Sequence, residues 1–149
     1  MTIKQELYKL CLEYVENRFQ TIQNTIKEIQ ESLGSETKSS AGDKHETGRA
    51  MLQLEREKAG NQLAEIQKLK VLLNKVNPEI THQKVALGSV VYTTQSNYFI
   101  AISAGEIVIA SNTFYAVSAA TPMAQLLLSK TVGDEVLFRN GTIKILKIL

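Results

Sequence analysis

Apolar residues in the first part of the chain recur at steps of three and four. One run passes through Ile3, Leu7, Leu10 and Tyr14, and a second through Val15, Phe19, Ile22, Ile26, Ile29 and Leu33. That period is the signature of an amphipathic helix, and the offset between the runs has the form of a stutter in one long seam. No Gly or Pro occurs between positions 2 and 33, so one helix is expected there, ending at Gly34-Ser35. A second helix is expected from about residue 44 to residue 76, with its seam at Ala59, Leu63, Ile66, Leu69, Leu73 and Val76. Helices of this length span roughly 45–50 Å at 1.5 Å per residue. Joined by the short polar stretch 35–41, they should pair antiparallel as a coiled-coil hairpin with its tip near residues 35–48.

At Asn77-Pro78-Glu79-Ile80-Thr81-His82 the helical pattern breaks, because the residue before a proline is pushed out of the α region. Beyond it the period becomes two. Strands are expected over 85–94, 98–102, 106–110 and 113–117, with Gln95-Ser96-Asn97 as the first turn. Thr121-Pro122 reads as an N-cap and an N1 proline, opening a short helix to about residue 129. Strands over 136–139 and 142–148 should form a hairpin around Asn140-Gly141. The expected fold is α+β: a helical hairpin over 1–77, a linker over 78–84, and a small, mostly antiparallel sheet with one helix over 85–149.

Charge is unevenly spread. Of 17 basic and 15 acidic residues, 13 and 12 precede residue 85, so a charged, solvated part is joined to an apolar one. Net charge is only +2, without the positive bias of a chain that grips nucleic acid unaided. The single cysteine, Cys11, cannot form an internal disulfide, fits a reducing compartment, and reads as a small buried hydrophobe within its helix. The N-terminus lacks the apolar core of a signal peptide, and no apolar run approaches the roughly 18 residues of a membrane span. A cytoplasmic, soluble chain without a membrane partner is expected.

Candidate chemistry centres on Asp43 and Glu46, two carboxylates three apart at the opening of the second helix. Structurally they read as a cap: Asp43 accepts from the amide three residues on, and Glu46 reaches back. At a hairpin tip they could also help bind a divalent cation presented by another molecule, and their hard oxygens suit Mg²⁺. Two carboxylates cannot complete such a site, so the metal would be shared. His45 between them reads as solvated, and His82 has no evident partner. The interval from Gly42 to Gly48 fails as a phosphate loop, because five residues separate the glycines and Arg49-Ala50 replaces Lys-Ser/Thr. No nucleophile–base set or Cys/His metal cluster is visible, so the chain alone does not read as an enzyme.

Gly42-Asp43-Lys44-His45-Glu46-Thr47 is similar to the Gly-Asp-x-x-Glu-Asn tip of the Gre family of bacterial transcript cleavage factors. Ala120-Thr121-Pro122-Met123-Ala124, continuing to Lys130-Thr131-Val132-Gly133-Asp134-Glu135-Val136, resembles that family's Ser-Ser-Pro-Ile-Ala … Gly-Lys-Lys-x-Gly-Asp-Glu-Val segment. The order and spacing agree over nearly the whole chain. The resemblance implies an FKBP-like C-terminal domain docking at the rim of the secondary channel of RNA polymerase while the coiled coil enters it. Asp43 and Glu46 would then help hold a second Mg²⁺ and the attacking water, and the polymerase would hydrolyse a backtracked RNA 3′ end. On this reading the chain is an accessory elongation factor, a monomer that binds no cofactor alone. Its docking surface would include Thr121, Pro122 and Met123, and Lys44 and Arg49 would be basic contacts at the tip. One departure stands out: Thr47-Gly48-Arg49-Ala50 follows Glu46 where the family commonly has Asn-Ala-Glu-Tyr. Three alternatives stay open: a Gre-like regulator or inhibitor of polymerase that does not cleave, a prolyl isomerase, and a coiled-coil adaptor.

Overall fold

The computed structural model describes residues 1–38 and 42–149, with side chains for all of these except 36–38 and 42–45. The elements run α1 (Ile3–Lys38), α2 (Gly42–Asn74), β1 (Val90–Thr93), β2 (Asn97–Ala101), β3 (Gly105–Ile109), β4 (Asn112–Ser118), α3 (Pro122–Leu127), β5 (Glu135–Phe138) and β6 (Gly141–Ile148). The fold is α+β, a helical hairpin followed by a mostly antiparallel sheet with one short helix. Two compact units are formed, Val15–Lys70 and Met1–Tyr14 with Val71–Leu149, and the division falls within α1 and α2.

In the Val15–Lys70 unit the helices run antiparallel. Ile26, Ile29 and Ala59 form the buried centre, flanked by Ile22, Leu33, Leu52 and Leu63. Ala59 is small, which lets the facing helix approach closely there. Toward one end Lys70 meets Glu16 at 3.3 Å and lies 3.5 Å from the centre of the Phe19 ring. Toward the other, Arg49 Nη1 donates to the Leu33 carbonyl at 3.4 Å.

Two expectations about α1 change. Leu7, Cys11 and Val15 are buried while Leu10 is 36% exposed, so Cys11 occupies the seam where Leu10 was expected. The apparent stutter is a run of steps of four. The helix also continues through Gly34-Ser35 to Lys38 instead of stopping there. A glycine in a helix costs roughly 1 kcal/mol relative to alanine. Packing of Leu33 against the seam, and the Arg49 bond to its carbonyl, offset that cost.

In the other unit the strand order is β3-β4-β2-β1-β6-β5. Neighbours are antiparallel except β2 and β4, which pair in parallel with Asn97 opposite Phe114 and Ala101 opposite Ser118. Val91, Ile100, Val136, Ile143, Ile145 and Ile148 present one face of the sheet to Met123, Ala124 and Leu127 of α3, making a single core with Val85. The first strand begins at Val90, later than the expected 85, because the preceding residues bond elsewhere. Val85 exchanges backbone bonds with Ser129 and Lys130, and Ser89 closes a turn onto Ala86. Thr93 Oγ1 organises the next turn, accepting from the amides of Gln95 and Ser96.

The hairpin turns depart most from expectation. Phe138 pairs with Gly141, so the two turn residues are Arg139 and Asn140, one position earlier than Asn140-Gly141. Arg139 takes the left-handed conformation at φ 57°. Between β3 and β4, Ile109 pairs with Asn112 around Ala110 (φ 48°) and Ser111 (φ 69°). Both central residues have positive φ, the requirement of a type I′ turn, yet neither is the Asn or Gly that favours it.

These positions give two stability predictions. A Cβ at Gly34 would meet nothing within 4 Å, so Gly34→Ala should stabilise the fold by about 1 kcal/mol. Calorimetry should show a rise in Tm of roughly 2–4 °C, and a fall would mean that α1 does not pass through Gly34. Ala110→Asn combined with Ser111→Gly should stabilise by roughly 1–2 kcal/mol, because it removes two left-handed residues with unfavourable side chains. An unchanged denaturant midpoint would contradict the type I′ assignment.

Candidate functional site

α2 begins at Gly42, so the backbone of Asp43 is already helical. An N-cap residue has non-helical backbone angles, so the expected capping role of Asp43 does not fit, and position 43 lies in the first turn. Positions 43 and 46 are one turn apart and share a face. The side chains of Lys38, Asp43, Lys44 and His45 lie outside the described residues. Glu46 and Thr47 are exposed, and Gly48 and Arg49 are half-buried.

The pairing within the hairpin places this segment. Glu16 faces Lys70, Ile26 and Ile29 face Ala59, and Leu33 faces Arg49. Each step along α1 is matched by a return along α2, so residues 42–46 occupy the end where the chain reverses. Position 46 lies one turn before Arg49, whose guanidinium bonds back across the hairpin. Arg49, expected as a tip contact, therefore helps hold the two helices together.

At the second expected site, Thr121 caps α3, its Oγ1 accepting from the Ala124 amide at 3.3 Å and donating to the Ser118 carbonyl at 2.9 Å. Pro122 follows at the first helical position and is exposed. Met123 is 7% exposed and packs in the core beside α3. The structure thus leaves Thr121 and Pro122 at the surface and turns Met123 inward.

The aromatic residues of the sheet mostly serve packing. Phe99 and Phe114 are fully buried, and Tyr92 meets Phe114 edge-on at 5.7 Å. Tyr115 is 37% exposed and tilts against Tyr98 at 6.2 Å. Among the described residues no three His, Cys, Asp or Glu side chains come together as a metal cluster. No described helix is long and apolar enough to cross a membrane.

Comparison with solved structures finds a likeness. The chain is similar to a solved structure titled "Structure of the transcription factor Gfh1", with 19% identity over 95% of this chain and 92% of that one, at a TM-score of 0.34. No protein-family model and no curated protein matches.

Sequence reasoning missed Lys4, a lysine only 4% exposed near the start of α1. Its spacing carried the signal. Lys4 lies three residues before Leu7 and seven before Cys11, on the stripe that the structure buries. His82, expected to lack a partner, is within 3.1 Å of Lys4 Nζ.

Cys11 is a buried free thiol, and burial pushes its pKa up to about 12. At pH 8 its alkylation should be roughly a thousandfold slower in the folded chain than in the denatured one, because the thiolate is the reactive form. Rapid labelling of the native chain by iodoacetamide would contradict this burial.

Proposed function

We propose that this chain is a Gre-like transcription elongation factor that enters the secondary channel of RNA polymerase and stimulates cleavage of backtracked RNA. The observation that carries the reading is the position of Asp43 and Glu46, one helical turn apart where an antiparallel helix pair reverses. Around them stands the Gly42-Asp43-Lys44-His45-Glu46 motif, similar to the Gre tip.

In this reading the chain performs no reaction alone. Asp43 and Glu46 supply oxygen ligands for a Mg²⁺ shared with the polymerase, which orients the attacking water and offsets charge building on the phosphate. The polymerase supplies the remaining ligands and the RNA 3′ end. Lys44 would meet RNA or acidic groups at the tip. The surface around Thr121 and Pro122 on the FKBP-like domain docks at the channel rim. The factor acts as a monomer in the cytoplasm, where the polymerase works.

A second reading keeps channel entry without cleavage, making the chain a regulator of polymerase. It is favoured by Thr47-Gly48-Arg49-Ala50, which replaces the family's Asn-Ala-Glu-Tyr beside the acidic pair. A prolyl isomerase is disfavoured because the chain has no tryptophan, the usual floor of that active site in FKBP-like enzymes.

A stalled, backtracked elongation complex separates the two polymerase readings. The wild-type chain should release short 3′ RNA fragments, and Asp43→Asn or Glu46→Gln should slow release on the order of 100-fold or more. Stability should stay within about 1 kcal/mol of wild type, since only one charge near the start of α2 is lost. Binding to polymerase without fragments would select the regulator, and full cleavage by both variants would remove the metal role.

A further inference from the structure

Beside the start of α1 lies a cavity of about 400 Å³, bordered by Thr2, Lys4 and Gln5 from α1 and its cap, by Pro78, Glu79, Ile80 and Thr81 from the segment after α2, and by Leu149. Lys4 is 96% buried there, as its 4% exposure implies. Its Nζ donates to the Ile80 carbonyl at 2.6 Å and lies 3.1 Å from His82 Nδ1. His82 also hydrogen-bonds to the backbone of Leu149. An ammonium can only donate, so in that pair Lys4 is the donor and Nδ1 the acceptor.

An ammonium has three N–H groups, and two are satisfied by these partners. The third has no protein acceptor, and no ion pair neutralises the charge among the described residues. Burial of an unpaired charge is costly unless a counter-ion joins it. Two titratable side chains face this region. His82 is held below its ordinary value by burial and by the Lys4 charge, so it is neutral at neutral pH. Glu79, which also borders the cavity, is exposed and not paired with Lys4.

The neighbouring groups are suited to an oxygen-bearing guest. Thr2 and Gln5 are joined by a reciprocal cap, with Gln5 Oε1 accepting from the Thr2 amide and Thr2 Oγ1 accepting from the Gln5 amide. The Gln5 side-chain amide thus keeps its own N–H donors. Pro78 and Ile80 add apolar wall. A volume near 400 Å³ is within the range of small-molecule sites.

We propose that this cavity binds a small carboxylate, with Lys4 Nζ as charged donor and Pro78 and Ile80 receiving a short apolar tail. The site is separate from Asp43 and Glu46 and independent of the polymerase reading. Its pH dependence has a definite sign. Burial lowers the Lys4 pKa to about 8, so the cation is present at pH 7 and is largely lost by pH 9. Binding should be about tenfold weaker at pH 9 than at pH 7, following the protonated fraction.

The test is titration of the full chain with sodium butyrate, sodium phosphate and sodium chloride at constant ionic strength. The Lys4 side-chain carbon resonances would be followed by NMR, with Tm in parallel. Butyrate should shift the Lys4 resonances saturably and raise Tm, chloride should do neither, and the butyrate affinity should fall about tenfold between pH 7 and pH 9. Lys4→Met should abolish the rise in Tm with butyrate while far-UV circular dichroism stays unchanged. Should that variant fail to fold, the pH series on the wild-type chain still decides the matter. An equal response to chloride, tighter binding of phosphate than of butyrate, or an affinity indifferent to pH would overturn the proposal.

Discussion

Packing of Ala59 on α2 against Ile26 and Ile29 on α1 constrains everything else in the hairpin. Once that pairing is made, the sum of facing residue numbers is nearly constant along the two helices. The site of chain reversal is then determined as well. Slipping α2 by one heptad would move the reversal by about half a heptad, three to four residues. Asp43 and Glu46 would no longer sit where the chain turns. Ala59 opposes such a slip, because a larger side chain from the same stripe would have to fit against Ile26 and Ile29. The Arg49 bond to the Leu33 carbonyl reinforces the register from the other side.

Both helices were legible because burial on one face leaves a periodic mark in sequence. Ile22, Ile26, Ile29 and Leu33 announce their face without ambiguity, as do Ala59, Ile66 and Leu73. What was illegible is where the stripe admits unusual residues. Cys11 and Lys4 lie on it, but neither is a conventional core residue, and the apolar period points to Leu10 instead. Gly34 misled for a related reason. A helix-stopping residue ends a helix only when tertiary packing does not outweigh roughly 1 kcal/mol, and here Leu33 lies in the packed seam beside it. The strands were legible from their alternation, because one face of the sheet is covered by α3 and the β-branched residues mark it. Their starts were less so, since Val85 has strand-like chemistry but bonds to the chain after α3.

Turns were the weakest point for a physical reason. Turn propensity reports the cost of a backbone conformation, while strand register is set by side-chain burial over many residues. Val136 opposite Ile143 fixes the last hairpin so that Arg139 and Asn140 fall in the turn, and Asn140-Gly141 is displaced by one. Likewise the pairing of Ile107 with Phe114 forces Ala110 and Ser111 into positive φ. A short propensity signal lost to a longer burial signal in both cases. Met123 is similar: its neighbours Thr121 and Pro122 mark a helix start, which is a surface feature, but the helix period then turns the next residue into the core.

The location of Asp43 and Glu46 in the first turns of α2 bears on how a metal could be held there. The N-terminal end of a helix carries partial positive charge, which favours ionised carboxylates by about 0.3–1 kcal/mol and disfavours an added cation. The same end therefore makes the pair a poor private site for Mg²⁺. A metal would settle only where further anionic ligands outweigh that repulsion, such as the carboxylates and phosphates of a polymerase active centre. Under the proposed function this weakness is an advantage. A metal would bind only where both partners contribute oxygens.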